Sequence, residues 1–126
     1  MAGMNNLILD TNIILYAAVY GDEIALELLQ ENNIFISDIT EIELLGYHRL
    51  NKDEYDILKK LLDSINIIAI NNTIKYKAIE LRRKYALKTP DAIIASTALH
   101  HDFFLVTADK KLHKIKDINV IQFDAP

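Results

Sequence analysis

Apolar residues along this chain follow two patterns. Some form short unbroken runs, the mark of strands buried on both faces; others return every three or four positions, the mark of helices with one apolar stripe. The runs fall at Asn6 to Leu9, Ile34 to Ile36, Ile67 to Ile70, Phe103 to Val106 and Val120-Ile121. Between them the spacing predicts helices over 12–19 and 22–31, the second with Ile24, Leu28 and Leu29 on its apolar side. A third helix is expected from about Thr40 to Arg49. A fourth begins at Asn51, carries Tyr55, Leu58, Leu61, Leu62 and Ile65 on one stripe, and opens with the Asn51–Glu54 spacing of a capping box. Ile74, Ala78, Leu81 and Tyr85 mark a fifth. Thr89-Pro90-Asp91 reads as a helix start, with a capping hydroxyl, proline at the first position and an acid in the first turn. The helix that follows, Ala92 to Leu99, is apolar on most sides and is expected to be buried.

Strands rich in Ile, Leu, Val and Phe that alternate with helices indicate a parallel sheet covered on both faces. With right-handed crossovers this is an α/β protein, a three-layer α/β/α sandwich around a central parallel sheet of four to five strands. The 126 residues fit a single domain, 1–126, and Met1-Ala2-Gly3, ahead of a second methionine, is set aside as an added leader. Three glycines and two prolines are too few turn-formers for a many-stranded β sandwich. The chain has no cysteine, no run of roughly 18 apolar residues and no signal-peptide pattern, so the expectation is a cytoplasmic protein without a membrane segment.

Charge is unevenly spread. Residues 1–63 hold twelve acids and four bases, residues 64–126 six acids and ten bases, for a net charge of -4. Such a split suits a cation-holding site beside a phosphate-holding surface, or simply solvated helix faces of different sign. In a doubly wound sheet, functional groups gather beyond the carboxyl ends of the strands. Asp10 closes the first strand, and Asp109 follows the fourth in Val106-Thr107-Ala108-Asp109. Glu43 lies about one turn into the helix after the second strand, and Asp91 starts a helix antiparallel to the strands. Element order alone therefore brings four carboxylates to one edge. Each has an ordinary structural role as well: a cap, a capping box with Thr40, a dipole partner or a turn residue. Together they need a cation or a shared proton, because paired carboxylates at ~4 Å repel by about 1 kcal/mol even in water. Hard oxygen donors without cysteine favour Mg²⁺ or Mn²⁺. Such a site can activate water for in-line attack on a phosphodiester. There is no glycine-rich phosphate loop, and His100 and His101 are accounted for by the end of a helix.

These residues also carry a family resemblance. Leu7-Ile8-Leu9-Asp10-Thr11-Asn12-Ile13-Ile14-Leu15-Tyr16 resembles the opening of PIN-domain proteins, especially the VapC-type toxins of toxin–antitoxin pairs. Ile36-Ser37-Asp38-Ile39-Thr40-Glu41-Ile42-Glu43-Leu44-Leu45-Gly46 is similar to the second motif of that family, Thr89-Pro90-Asp91-Ala92-Ile93-Ile94-Ala95-Ser96-Thr97-Ala98-Leu99 to the third and Leu105-Val106-Thr107-Ala108-Asp109 to the fourth. The resemblance implies a metal-dependent endoribonuclease in which Asp10, Glu43, Asp91 and Asp109 hold Mg²⁺ or Mn²⁺ and place the attacking water. It further implies that Thr11, Asn12, Ser37 and Thr107 orient carboxylates or water. Glu41 points about 200° away from Glu43 on a helix, so only one of them faces the site, and Glu43 is taken. An antitoxin protein and a homodimer are the partners the resemblance implies; apolar surface around Ile14, Leu15, Leu26 and Leu29 is available for either.

For RNA, Arg82, Arg83, Lys84 and Lys88 lead to Asp91, while Lys110 and Lys111 follow Asp109. They put positive charge beside the acids, as phosphate binding requires. A receiver domain would need an acid after the third strand, where Ile70-Asn71-Asn72 stands, and a haloacid-dehalogenase phosphatase would need a second acid at Asn12. The remaining alternatives are an RNA-processing PIN nuclease and a PIN scaffold used only for binding.

Overall fold

A computed structural model describes residues 4–126; the expectation about Met1-Ala2-Gly3 lies outside the described residues. Five strands, β1 (Asn6–Leu9), β2 (Asn33–Ser37), β3 (Asn66–Ile68), β4 (Phe104–Thr107) and β5 (Val120–Gln122), form one sheet in the order β3-β2-β1-β4-β5. Every pairing is parallel. Six α-helices accompany them: α1 (Thr11–Ala18), α2 (Glu23–Glu31), α3 (Asp38–Leu45), α4 (Lys52–Leu62), α5 (Asn72–Tyr85) and α6 (Thr89–His101). The expected α/β/α sandwich is what the chain forms.

Strand alternation divides the core. Leu7 and Leu9 point to one face, where Ile13, Ile14, Ile36, Leu58 and Leu62 join them. Ile8, between them, points to the other, against Leu81, Ile94, Ala95 and Leu105. Each fully buried Leu or Ile contributes about 1.5–3 kcal/mol, so a slip of one residue in β1 would expose one core to build the other. α6 is buried all round from Ala92 through Ala98, as its composition predicts, apart from a partly exposed Ile93. Its two buried hydroxyls find carbonyls, Ser96 donating to Ile74 (2.6 Å) and Thr97 to Ile93 (2.7 Å).

Several expected boundaries move. α3 begins at Asp38 rather than Thr40, because buried Ser37 caps it by accepting the Ile39 N–H (3.2 Å). It stops at Leu45, well before Arg49; a Cβ on Gly46 would stand 2.5 Å from the Ile42 carbonyl oxygen. α4 has the expected Asn51–Glu54 capping box but ends at Leu62, leaving Ile65 outside and Tyr55 exposed. β3 covers Asn66–Ile68, short of Ile70. At α6 the cap position is Lys88, without a side-chain hydrogen bond, so Thr89 is the first helical residue rather than the cap. In α2 the buried residue is Ala25, while Ile24 is 67% exposed. Asp22 caps the helix, its carboxylate accepting the Ala25 N–H, and Leu28 and Leu29 pack against the core beside Ala25. Ile14 is fully buried, so it offers no surface to a partner. A short 3-10 helix at Lys110–Lys114 carries no apolar periodicity and was not foreseen.

Candidate active site

The chain runs outward from β1 to β2 and β3, then returns to lay β4 and β5 on the other side of β1. The order reverses between β1 and β4, the switch point at which sheets of this kind bind their ligands. Asp10 sits at the carboxyl end of β1, Thr107 at that of β4. The Thr107 hydroxyl donates to Asp10 Oδ2 (2.7 Å) and accepts the Asp109 N–H (3.0 Å). Asp10 Oδ1 accepts the Thr11 N–H (2.8 Å), and the Thr11 hydroxyl donates to Glu43 Oε1 (2.8 Å). One thread of hydrogen bonds therefore runs Glu43–Thr11–Asp10–Thr107–Asp109, joining α3, α1, β1 and β4.

Asp91, in the first turn of α6, completes the set electrostatically. Burial pushes its carboxyl above the usual range, and the charges of Asp10, Asp109 and Glu43 push it further; Lys88 alone pulls it back. Asp10, Asp109 and Glu43 therefore each lie within electrostatic reach of Asp91. Among the described residues, however, no three acidic or histidine side chains converge closely enough to enclose an ion unaided. The arrangement is a coupled cluster, spaced by threonine hydroxyls, rather than a closed shell. An oxygen-only donor set with unrelieved negative charge matches Mg²⁺ or Mn²⁺ and no softer ion.

The other residues singled out from the sequence divide. Glu43 joins the thread, whereas the Glu41 charge reaches Lys59 on α4. Ser37 is spent on capping α3, and the Asn12 side chain is exposed and, among the described residues, makes no hydrogen bond. Of the six cations, Lys88 lies at the start of α6 beside Asp91, and Lys110 and Lys111 follow Asp109, whose carboxylate accepts the Lys111 N–H (2.9 Å). Arg83 is exposed. Arg82 is partly committed elsewhere, its Nε donating to the Leu87 carbonyl (3.1 Å), and Lys84 pairs with Asp117 (3.4 Å).

Sequence reasoning passed over Gln122 and His113. The Gln122 amide nitrogen donates to the Ala108 (3.1 Å) and Phe123 (3.0 Å) carbonyls, while its oxygen lies 2.7 Å from His113 Nε2. The one signal in the sequence is a polar residue next to an apolar pair in the last strand, which is too common to select.

The PIN-domain family model matches residues 7–118. No curated protein matches the chain. Among solved structures, it resembles VapBC2 of Rickettsia felis bound to a promoter DNA fragment, at 26% identity and a TM-score of 0.82, covering 94% of this chain and 99% of that one. A toxin–antitoxin complex from Klebsiella pneumoniae aligns at 31% identity and a TM-score of 0.78, over 92% and 96% of the two chains. The DNA-bound VapBC of Salmonella typhimurium, at 19% identity, shares the fold with a TM-score of 0.84 over 94% and 98%. A family model spanning all four acidic positions, on a fold shared from end to end, means that this chain belongs to the PIN-domain family and is a PIN domain of the VapC type.

Proposed function

We propose that the chain is a Mg²⁺- or Mn²⁺-dependent endoribonuclease and the toxin of a type II toxin–antitoxin pair. The observation that carries this reading is the hydrogen-bonded thread of Asp10, Glu43 and Asp109, with Asp91 electrostatically coupled to it, at the switch point of the sheet. These four carboxylates would hold the ion, which when bound supplies Lewis acidity to the phosphodiester and lowers the pKa of a coordinated water. The protein's own part is positional. Thr11 and Thr107 fix carboxylate rotamers, Asp10 is held from both oxygens, and the Lys88 and Lys110 cations flank the acids where phosphates of an RNA strand would pass. Single-stranded or looped RNA suits an open crevice better than a rigid duplex, since its backbone bends into the site.

The place proposed for an antitoxin is on the α2–α4 side. A groove of about 420 Å³ lies between α2 and α4, lined by Leu26, Leu29, Leu61 and Ile65 with Asn32 and Asn66 at its rim. Its apolar floor and uncharged rim suit a segment of a partner protein; the homodimer is part of the same proposal. Among the described residues no helix is long and apolar enough to cross a membrane.

The test is cleavage of single-stranded RNA with Mn²⁺ or Mg²⁺. Asp10→Asn and Asp91→Asn are expected to abolish it with the fold intact by circular dichroism, and EDTA is expected to abolish it in the wild type. Undiminished cleavage by Asp10→Asn would sink the reading. Growth arrest on expression, reversed by the protein encoded beside it, tests the toxin role; an active enzyme that leaves growth untouched would assign it to RNA processing instead.

A further inference from the structure

Asp109 is exposed, in the turn after β4; on its C-terminal side its carbonyl accepts the Leu112 N–H (3.2 Å) and its carboxylate the Lys111 N–H (2.9 Å), and the peptide before it is held separately. The peptide between Ala108 and Asp109 is planar, and fixing its two polar ends fixes its orientation. Its N–H is held by the Thr107 hydroxyl (3.0 Å) and its carbonyl by the Gln122 amide (3.1 Å). The Gln122 amide is in turn fixed against flipping. Its nitrogen must face the Ala108 and Phe123 carbonyls, which can only accept, so its oxygen faces His113, and His113 Nε2 must be the donor there. β5 is an edge strand of three residues, and Gln122 is its last, beside the turn.

We infer that Gln122, oriented by His113, is a positioning residue that clamps the Ala108–Asp109 peptide and so aims the Asp109 carboxylate into the cluster. This rests on the proposed metal-dependent reading. Neither residue touches substrate in this assignment; both act through the backbone of Asp109, as groups behind a metal ligand do, where loss typically weakens metal binding by about 10–100-fold.

The experiment measures Mn²⁺ binding to the RNA-free full chain by calorimetry, beside kcat and KM for RNA. Gln122→Met keeps the length and removes every hydrogen bond; it is expected to weaken Mn²⁺ binding about ten-fold and lower kcat while leaving KM nearly unchanged. His113→Ala, on an exposed side chain that the fold does not need, is expected to weaken Mn²⁺ binding by a smaller factor, about two- to three-fold. Val120→Ala, in the same strand but outside the clamp, is the control for general loosening and is expected to bind Mn²⁺ as the wild type does. Wild-type affinity in Gln122→Met, or an equal loss in Val120→Ala, overturns the clamp and leaves the nuclease reading standing. If Gln122→Met does not fold, unchanged binding in His113→Ala overturns it. A wild-type chain that binds no Mn²⁺ overturns the clamp and the metal-dependent reading together.

Discussion

Thr107 and Asp10 lie 97 residues apart and meet at 2.7 Å, hydroxyl to carboxylate, across the gap where the strand order reverses. The same hydroxyl oxygen accepts the Asp109 N–H, so one buried threonine sets the spacing of two acids. Thr107→Val keeps the shape and removes both bonds. It is expected to cost about 1–3 kcal/mol in denaturant unfolding, since it removes two hydrogen bonds from a buried hydroxyl position. Cleavage is expected to fall about 10–100-fold, mostly in kcat. Wild-type kinetics in a folded Thr107→Val would show that the acids find their places without it.

Asp91 predicts an unusual pH dependence. Its folded pKa lies above the ordinary 3.8, so the native metal-free protein holds this proton more tightly than the unfolded chain does. The ionised carboxylate therefore weakens the fold at neutral pH, and that penalty disappears as pH falls below about 3.8. Asp91→Asn is expected to melt above the wild type at pH 7 in EDTA, with the difference closing in acid. Mn²⁺ is expected to raise the wild-type Tm at pH 7 and to have little effect on the variant. A variant that melts below the wild type at pH 7 would contradict the charge repulsion.

Ala86 ends α5 with φ 54°, in the left-handed region. A side chain there costs about 1–2 kcal/mol that glycine does not incur. Ala86→Gly is expected to stabilise the protein by about 0.5–1 kcal/mol after its greater unfolded-state entropy is subtracted. Chemical denaturation gives the sign directly.

Gly46 is the opposite case. Its φ of -86° is open to any residue, yet a Cβ would stand 2.5 Å from the Ile42 carbonyl oxygen, a backbone atom that cannot swing away. Gly46→Ala is expected to destabilise by about 1–3 kcal/mol, by forcing the end of α3 to shift. The same substitution at Gly21, which has open space but φ +62°, is expected to cost about 1–2 kcal/mol through the backbone alone.

Chain pattern determined a good deal of this protein. Unbroken apolar runs require strands buried on both sides, so the parallel sheet and its helical layers follow from composition and period alone. Asp10, Asp91 and Asp109 stand at element ends, and because such ends share one edge of a doubly wound sheet, element order alone predicts their common edge. What periodicity cannot carry is the partner each polar group finds at long range. Ser37 caps α3, Arg82 turns to the Leu87 carbonyl and Lys84 to Asp117, although all three side chains read equally well as free for water or phosphate. Ala25, with Leu28 and Leu29 at i, i+3 and i+4, takes the core side of α2 and leaves Ile24 to solvent. The Gln122–Ala108 contact exists only because β5 is laid beside β4. Burial is an average property that many residues encode together, and it survives reading one chain at a time; a hydrogen bond between distant segments depends on their approach to within a few tenths of an ångström, which only the packed structure decides.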